Sequence, residues 1–449
     1  MTRRFGTDGV RGVANLDLTP ELVLALGRAA ARVLPGESFL VGRDTRISGP
    51  MLLAALSAGI TAEGVDVLDL GVLPTAGVAW VGRERDVPGA MISASHNPFA
   101  DNGIKLFAPG GLKLRDDVED RLEAELDRLL VGGDGRPAPL GAALGRVRRH
   151  DGRKSYTRGM TATLAGRRLD GISVVVDCAN GAAVSVAPDV LAALGAEVTA
   201  INDRPDGTNI NAGAGSNHPQ GLAAEVVARG ADAGLAFDGD ADRVVAVDHT
   251  GQVVDGDQLI AICAVDRKAR HALAGDTVVV TVMANLGFRQ AMREHGIAVV
   301  ETKVGDRYVL EALEEGGWSL GGEQSGHVIF RDLATTGDGI LTGLQVLDVL
   351  HRSGRPLCEL AAVMTRLPQI LRNVAVRDRH GLEGATEFWE EVEVVRRRLG
   401  TDGRVLVRPS GTEPVVRVMV EALSLEEAEA SCDQLCAAVT RCLGTPVAG

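Results

Sequence analysis

Three short apolar runs recur along the chain. Each leads into a polar, glycine-bearing turn and then a segment of helical apolar period. Phe39-Leu40-Val41 runs into GRDTRISG, Val174-Val175-Val176 into DCANGAA, and Val278 to Val282 into MANLGF. A short unbroken apolar run bounded by turn residues fits a strand covered on both faces. The spacing predicts the opening β-α step of three α/β domains. Helices are legible between these strands. Thr19 is an N-cap ahead of Pro20 and the periodic ELVLALGRAAARVL, and Gly49-Pro50 opens a second helix. Leu114 to Leu130 reads as a third, with Leu122, Leu126, Leu129 and Leu130 on its apolar side. Val131 to Leu144 is rich in glycine, proline and alanine and reads as a linker, followed by a basic, solvated run from Arg146 to Lys154. Beyond Pro368 a smaller tail shows strands at Val405-Leu406-Val407 and Val415 to Val420. A last helix starts at Ser424, which forms a capping-box pattern with Glu427. The expected domains are 1–145, 146–251, 252–367 and 368–449.

Length agrees with that division: 449 residues at roughly 150 per domain suggests three or four domains. A chain 45% hydrophobic and 24% charged is ordinary globular protein. The net charge of −13 leaves no basic footprint for nucleic acid or an anionic membrane. No apolar run approaches the ~18 residues of a membrane span, and MTRRFGTDGV has no apolar signal core, so the expected compartment is the cytoplasm. The six cysteines form no CxxC pair and read as free thiols, Cys432 and Cys436 lying one helical turn apart. Glycine is high, 56 residues, which points to loops that approach ligands closely.

Five loops carry the candidate chemistry. Ser93-Ala94-Ser95-His96-Asn97-Pro98, with Lys105 beyond, sets a serine beside a histidine, the pairing of an activated nucleophile. Asp238-Gly239-Asp240-Ala241-Asp242-Arg243 alternates three carboxylates after an apolar strand. Such a loop can aim oxygens at one hard divalent cation, Mg²⁺ first, and would be self-repelling without one. Gly321 to His327, GGEQSGH, offers carboxylate, amide, hydroxyl and imidazole, a vocabulary for binding a polyol. Arg408-Pro409-Ser410-Gly411-Thr412-Glu413-Pro414, with Arg417, combines guanidinium forks with hydroxyls and backbone N–H groups for a phosphate. Phe5 to Gly12, with Arg43 and Arg46 in a later loop, is glycine-dense in the manner of a phosphate cradle. Together they suit phosphoryl transfer on a phosphorylated sugar with Mg²⁺.

These loops resemble the α-D-phosphohexomutase superfamily. The SASHNP, DGDADR, GEQSGH and RPSGTEP segments stand in family order, and the resemblance runs from Phe5 to about Arg417. FGTDGVRG, MANLG, TKVGDRYV, GGEQSGH and TTGDGILT resemble the branch acting on glucosamine phosphates. Ala284 departs from that branch's usual serine in MANLG. The resemblance implies three similar α/β domains with mixed sheets and a smaller C-terminal α+β domain around a central cleft. It implies that Ser95 is carried as phosphoserine and that Asp238, Asp240 and Asp242, with the serine phosphate, bind one Mg²⁺ per subunit. Glu323 and Ser325 would meet sugar hydroxyls. Arg408, Ser410, Gly411 and Thr412, with Arg417 beyond, would hold the phosphate that does not react. Arg11, His96, Lys105, Arg243 and His327 fall around the reacting centre, Lys105 first and His327 second as the acid/base.

The implied reaction interconverts glucosamine 6-phosphate and glucosamine 1-phosphate through a 1,6-bisphosphate, with a sugar 1,6-bisphosphate as activator, on the route to amino-sugar and cell-wall precursors. The intermediate must reorient, and Pro368 to Asn373 is the expected hinge. The alternatives are a phosphoglucomutase or phosphomannomutase of the same superfamily, and a non-catalytic phosphosugar-binding regulator. The sequence leaves oligomeric state open, a homodimer included.

Overall fold

The fold was analysed in a computed structural model, which describes residues 9–132, 136–410 and 414–444. Four sheets follow one another along the chain. The first is built from β1 (Val10–Val13), β2 (Ser38–Arg43), β3 (Asp66–Val72), β4 (Gly89–Ile92), β5 (Asp101–Ala108), β6 (Leu112–Lys113) and β7 (Val147–Arg149). The second comprises β8 (Ser173–Asp177), β9 (Glu197–Ile201), β10 (Ala233–Phe237), β11 (Val244–Asp248) and β12 (Val253–Val254). The third comprises β13 (Thr277–Thr281), β14 (Ala298–Thr302), β15 (Leu320–Gly322) and β16 (Val328–Phe330), and the fourth β17 (Gln369–Ala375), β18 (Arg404–Pro409) and β19 (Val415–Glu421).

The three apolar runs are β2, β8 and β13, and each lies inside its sheet. The first three sheets share one core order: β5-β4-β2-β3, β11-β10-β8-β9 and β16-β15-β13-β14. In each, three strands run parallel and a fourth returns antiparallel beside the third. The chain thus repeats a mixed-sheet α/β unit three times. The fourth sheet is antiparallel throughout, in the order β17-β19-β18.

Helices cover the sheets where the apolar period indicates. Pro20–Val33 starts on Thr19, whose hydroxyl accepts from the Leu22 N–H. It packs against Gly49–Ala62 and Asp116–Leu130, burying Val23, Leu26, Leu52, Leu56, Leu122 and Leu126 with Phe39 and Val41 of β2. Truncating any one of these leucines to alanine would cost about 2–5 kcal/mol. Leu130, by contrast, lies exposed beyond that stripe. In the third repeat, Asp306–Gly316 buries Val309, Leu310 and Leu313 against Val279 and Ile329. The tail helix Leu425–Leu443 starts on Ser424, whose hydroxyl accepts from the Glu427 N–H.

Three local expectations need correction. Val147–Arg149, inside the expected linker face, is exposed but adds a parallel edge strand beside β3. Of the expected hinge Pro368 to Asn373, Gln369 to Asn373 pair residue by residue with β19, from Gln369 opposite Glu421 to Asn373 opposite Arg417. A strand committed to a ladder cannot absorb hinge rotation. The third is the MANLGF turn. The chain forms two compact units, one running to Met283 and resuming over Ile297–Val363, the other comprising Ala284–Gly296 and the chain from Met364. The helix after β13, Leu286–Glu294, therefore sides with the C-terminal unit. Asn285 fixes it there, donating to the Leu367 carbonyl and accepting from the Leu367 N–H, both at 3.0 Å.

Candidate active site

Each repeat puts its polar loop at the same point of the topology, the connection from the third parallel strand to the antiparallel fourth. SASHNP joins β4 to β5, DGDADR joins β10 to β11, and EQSGH joins β15 to β16. These are carboxyl ends of parallel strands, where open α/β sheets bind ligands.

Ser95 has a left-handed backbone, φ +52°, which a non-glycine residue adopts only under surrounding constraint. The constraint is visible. Arg46 is fully buried, and its guanidinium donates to the carbonyls of Ser95 (2.9 Å), Asn97 (2.8 Å), Asp101 (3.0 Å) and Pro98, while Nε holds Asp44 at 2.9 Å. Asn211 donates to the Ser95 and Asn97 carbonyls from the second repeat, and the Ser95 N–H bonds Ser93 Oγ at 2.9 Å. A Cβ at position 239 would lie 2.5 Å from the Ser95 carbonyl oxygen, so only glycine fits there. Arg46, grouped in the sequence with the glycine-dense phosphate cradle, is therefore scaffold: its hydrogen bonds go to backbone carbonyls and Asp44. Ser93 is scaffold too, its hydroxyl donating to Asp44 at 2.6 Å.

The Ser95 hydroxyl donates to Asp238 Oδ2 at 2.6 Å and lies 3.4 Å from His96 Nδ1. Ligand oxygens of Asp238, Asp240 and Asp242 all fall within 4.8 Å of one another and are buried, the one such acidic group among the described residues. Lys105, from β5, donates to Asp240 Oδ2 at 2.9 Å and Asp242 Oδ2 at 3.2 Å. Thr75 adds its hydroxyl to Asp240 Oδ2 at 2.7 Å. The Arg243 backbone N–H donates to Asp238 Oδ1, and its guanidinium stands 3.2 Å from His96 Nδ1.

The residues fit a metal. Oδ1 of Asp240 and Oδ1 of Asp242 are buried with no hydrogen-bond partner, and a buried unpaired carboxylate oxygen is costly unless a cation takes it. Burial, then the charges of Asp242 and Asp240, pushes the Asp238 carboxyl well above the ordinary range. Asp242 goes the other way: burial opposes its charge, but Lys105, His327 and Arg243 outweigh it. His96 is held below its usual value by burial, then by Arg243 and Arg11. Arg11 sits exposed on β1.

In the third loop, Glu323 Oε1 accepts the Gly305 N–H at 3.1 Å, and the exposed Ser325 hydroxyl stands 3.5 Å from Oε2. His327, on the same loop, turns away from Ser325 into the interior. Its Nδ1 lies 3.8 Å from Asp242 Oδ1. Ser95, His96, Lys105, the three aspartates, Arg243 and His327 thus form one continuous cluster.

The C-terminal unit carries the clamp residues on their own. Arg408 on β18 and Arg417 on β19 stand directly opposite each other, and Ser410 is buried with its N–H on the Val415 carbonyl. Burial, then the neighbouring Arg417 charge, lowers the Arg408 pKa. Phe5 to Asp8 and Gly411, Thr412 and Glu413 lie outside the described residues. Thr75, Asn211 and the scaffold role of Arg46 escape a sequence reading, because each acts across loops far apart in the chain. All six cysteines are free thiols, and no helix among the described residues is long and apolar enough to cross a membrane.

Comparison with known proteins agrees with this architecture. Family models for phosphoglucomutase/phosphomannomutase match in order: alpha/beta/alpha domain I over 2–138, domain II over 154–251, domain III over 255–367, and the C-terminal domain over 371–438. The chain belongs to this family of phosphohexomutases, which are isomerases. A crystal structure of a phosphoglucomutase/phosphomannomutase family protein from Burkholderia thailandensis superposes with a TM-score of 0.80 at 25% identity, covering 98% of each chain. Within the family its similarity is to the phosphoglucosamine mutases. That of Desulforudis audaxviator is 55% identical over 93% of each chain, and that of Saccharopolyspora erythraea is 56% identical over 94% of this chain and 96% of its own.

Proposed function

We propose that this chain interconverts glucosamine 6-phosphate and glucosamine 1-phosphate, with Ser95 as the phosphoryl carrier. The observation that carries the reading is the Ser95 hydroxyl, held 2.6 Å from one member of a buried carboxylate triad whose other two members keep unpartnered oxygens. A serine hydroxyl so placed, once phosphorylated, presents its phosphate beside a cation site. Asp238, Asp240 and Asp242 would hold one Mg²⁺, the hard oxygen-loving cation that an all-carboxylate set suits. Bound there, it would neutralise charge on the transferring phosphoryl group.

In the forward direction the P–Oγ bond of phosphoserine breaks and a bond from phosphorus to the sugar O1 forms. The O1 proton passes to a base. Lys105 is the first candidate for that proton and His327 the second, each within reach of the triad. The resulting 1,6-bisphosphate reorients, its O6–P bond breaks as P–Oγ forms again on Ser95, and the base returns its proton to O6. Trace sugar 1,6-bisphosphate would serve as activator by charging Ser95. Arg243 and Arg11 supply positive charge and His96 a neutral ring N–H around the moving group. Glu323 and Ser325 orient the sugar, and Arg408, Ser410, Gly411, Thr412 and Arg417 grip the idle phosphate. The placement of Arg408 and Arg417 directly opposite each other on neighbouring strands supports that role, since it sets two guanidinium groups at one point of the sheet.

A ³¹P NMR competition tests the reading. Equal glucosamine, glucose and mannose 6-phosphates are mixed with protein, Mg²⁺ and trace sugar 1,6-bisphosphate. Fastest growth of the glucosamine 1-phosphate signal is expected. Faster glucose or mannose 1-phosphate would keep the chemistry and overturn the substrate.

A further inference from the structure

The TKVGDRYV segment supplies no side chain to the mechanism above, yet it reaches two of its residues. Gly305 hands its N–H to Glu323. Asp306, one residue on, faces His327: its Oδ2 lies 3.6 Å from His327 Nε2, a nitrogen that is buried and without a hydrogen-bond partner. The imidazole thus stands between two carboxylates, Asp242 Oδ1 at 3.8 Å from Nδ1 and Asp306 at Nε2. Its ring is packed against backbone: a Cβ at position 337 would fall 2.3 Å from Nε2. The other side of Asp306 Oδ2 is held by Lys113, from β6 of the first repeat. The next residue, Arg307, pairs with Asp116 and Glu119 of the helix Asp116–Leu130, so the turn is anchored at a second point on the first repeat.

We infer that Asp306 is a positioning residue for this reaction: it orients the His327 ring toward Asp242 and the reacting centre. The inference rests on the mutase reading and extends it to a residue of the third repeat. The plainer role for Asp306 is structural, an acid in the first turn of Asp306–Gly316 paired with Lys113. That role alone does not account for the placement of its carboxylate at the one unpartnered nitrogen of a buried histidine. At 3.6 Å the contact is electrostatic rather than a hydrogen bond, and a carboxylate so placed favours the ring orientation that turns an N–H toward it.

The test compares Asp306→Asn, Asp306→Glu and Lys113→Met with the unaltered protein in steady-state turnover of glucosamine 6-phosphate, with melting temperatures alongside. Asp306→Asn should lower kcat on the order of 10- to 100-fold while leaving KM within about twofold. Asp306→Glu should restore most of kcat, and Lys113→Met should lose far less than Asp306→Asn. Wild-type kcat in Asp306→Asn would overturn the inference. So would a loss in Lys113→Met equal to that in Asp306→Asn, or no rescue by Asp306→Glu when its melting temperature matches that of the unaltered protein. If the unaltered protein turned over no glucosamine 6-phosphate, the substrate reading would fail. The same variants on whichever hexose phosphate it does isomerise would then decide the role of Asp306.

Discussion

Two clusters of the first unit crowd carboxylates around basic side chains, and they are built to opposite ends. In one, Arg32 donates to both oxygens of Glu63 at 2.7 Å and to Glu125 at 3.0 Å; Arg28 adds a bond to Glu63, and Arg128 two to Glu125. Every acid there is matched by guanidinium N–H groups, and both carboxyls are held below their ordinary values. In the other, Lys105 bonds two of the three aspartates, two carboxylate oxygens have no hydrogen-bond partner, and Asp238 is pushed up. Matched charge holds helices together. Mismatched charge, kept at a cost in stability, marks the place of something the chain itself does not supply.

The largest expected effect is at the edge of the mismatched cluster. Ser95→Ala should reduce turnover by at least on the order of 10³-fold without loss of fold, since Arg46 and Asn211 hold the loop through its carbonyls rather than through the hydroxyl. Intact-mass measurement should find a phosphate on the unaltered protein and none on the variant. Full activity in Ser95→Ala would remove the phosphoryl carrier from the mechanism.

Next comes the triad itself. Asp240→Asn should cut kcat on the order of 10²-fold and raise the Mg²⁺ concentration needed for half-maximal rate. The metal-free melting temperature should hold or rise, because an asparagine oxygen still accepts from Thr75 and Lys105, Lys105 keeps its pairing with Asp242, and one of three crowded charges is gone. Unchanged rate at limiting Mg²⁺, or a marked fall in melting temperature, would make this cluster the same kind of object as the Arg32 network.

How far the sequence reached follows the same division. The three β-α openings were legible because β2, β8 and β13 are buried on both faces and read as unbroken apolar runs. The triad was legible because its charges sit at alternate positions of one loop. What escaped was whatever depends on partners distant in the chain. Arg46 looks like a phosphate ligand in sequence and serves as a backbone clamp. Asp306 looks like a helix-start acid. Gln369 to Asn373 follow a proline and look like a hinge, and only the ladder with β19 shows them to be sheet. The fourfold strand order shared by three sheets was faint in sequence, since the repeats keep topology and burial rather than residues.

In the C-terminal unit, Arg408→Ala should raise KM about 10- to 100-fold, the value of a lost charge-assisted pair, with a smaller change in kcat. Cys436→Ala, on the helix Leu425–Leu443 and away from β18, should leave both constants near wild type. Equal kinetics in the two variants would place the phosphate grip elsewhere.

The smallest effect belongs to the matched network, and its pH dependence has a definite sign. Arg128, then Arg32, draw the Glu125 carboxyl from its ordinary 4.5 to about 2, against a smaller opposing contribution from burial. A carboxyl held low in the folded state contributes stability above its unfolded value and loses it as pH falls through the folded one. Glu125→Gln should therefore cost about 0.5–1 kcal/mol at neutral pH, the range of a partly exposed ion pair. The difference from wild type should shrink between about pH 4.5 and 2, and catalysis should be untouched. Denaturant unfolding across that range measures it. A gap that stayed constant with pH would mean that Glu125 acts through packing of its stem rather than through its charge. The contrast between matched and mismatched clusters would then rest on the triad alone.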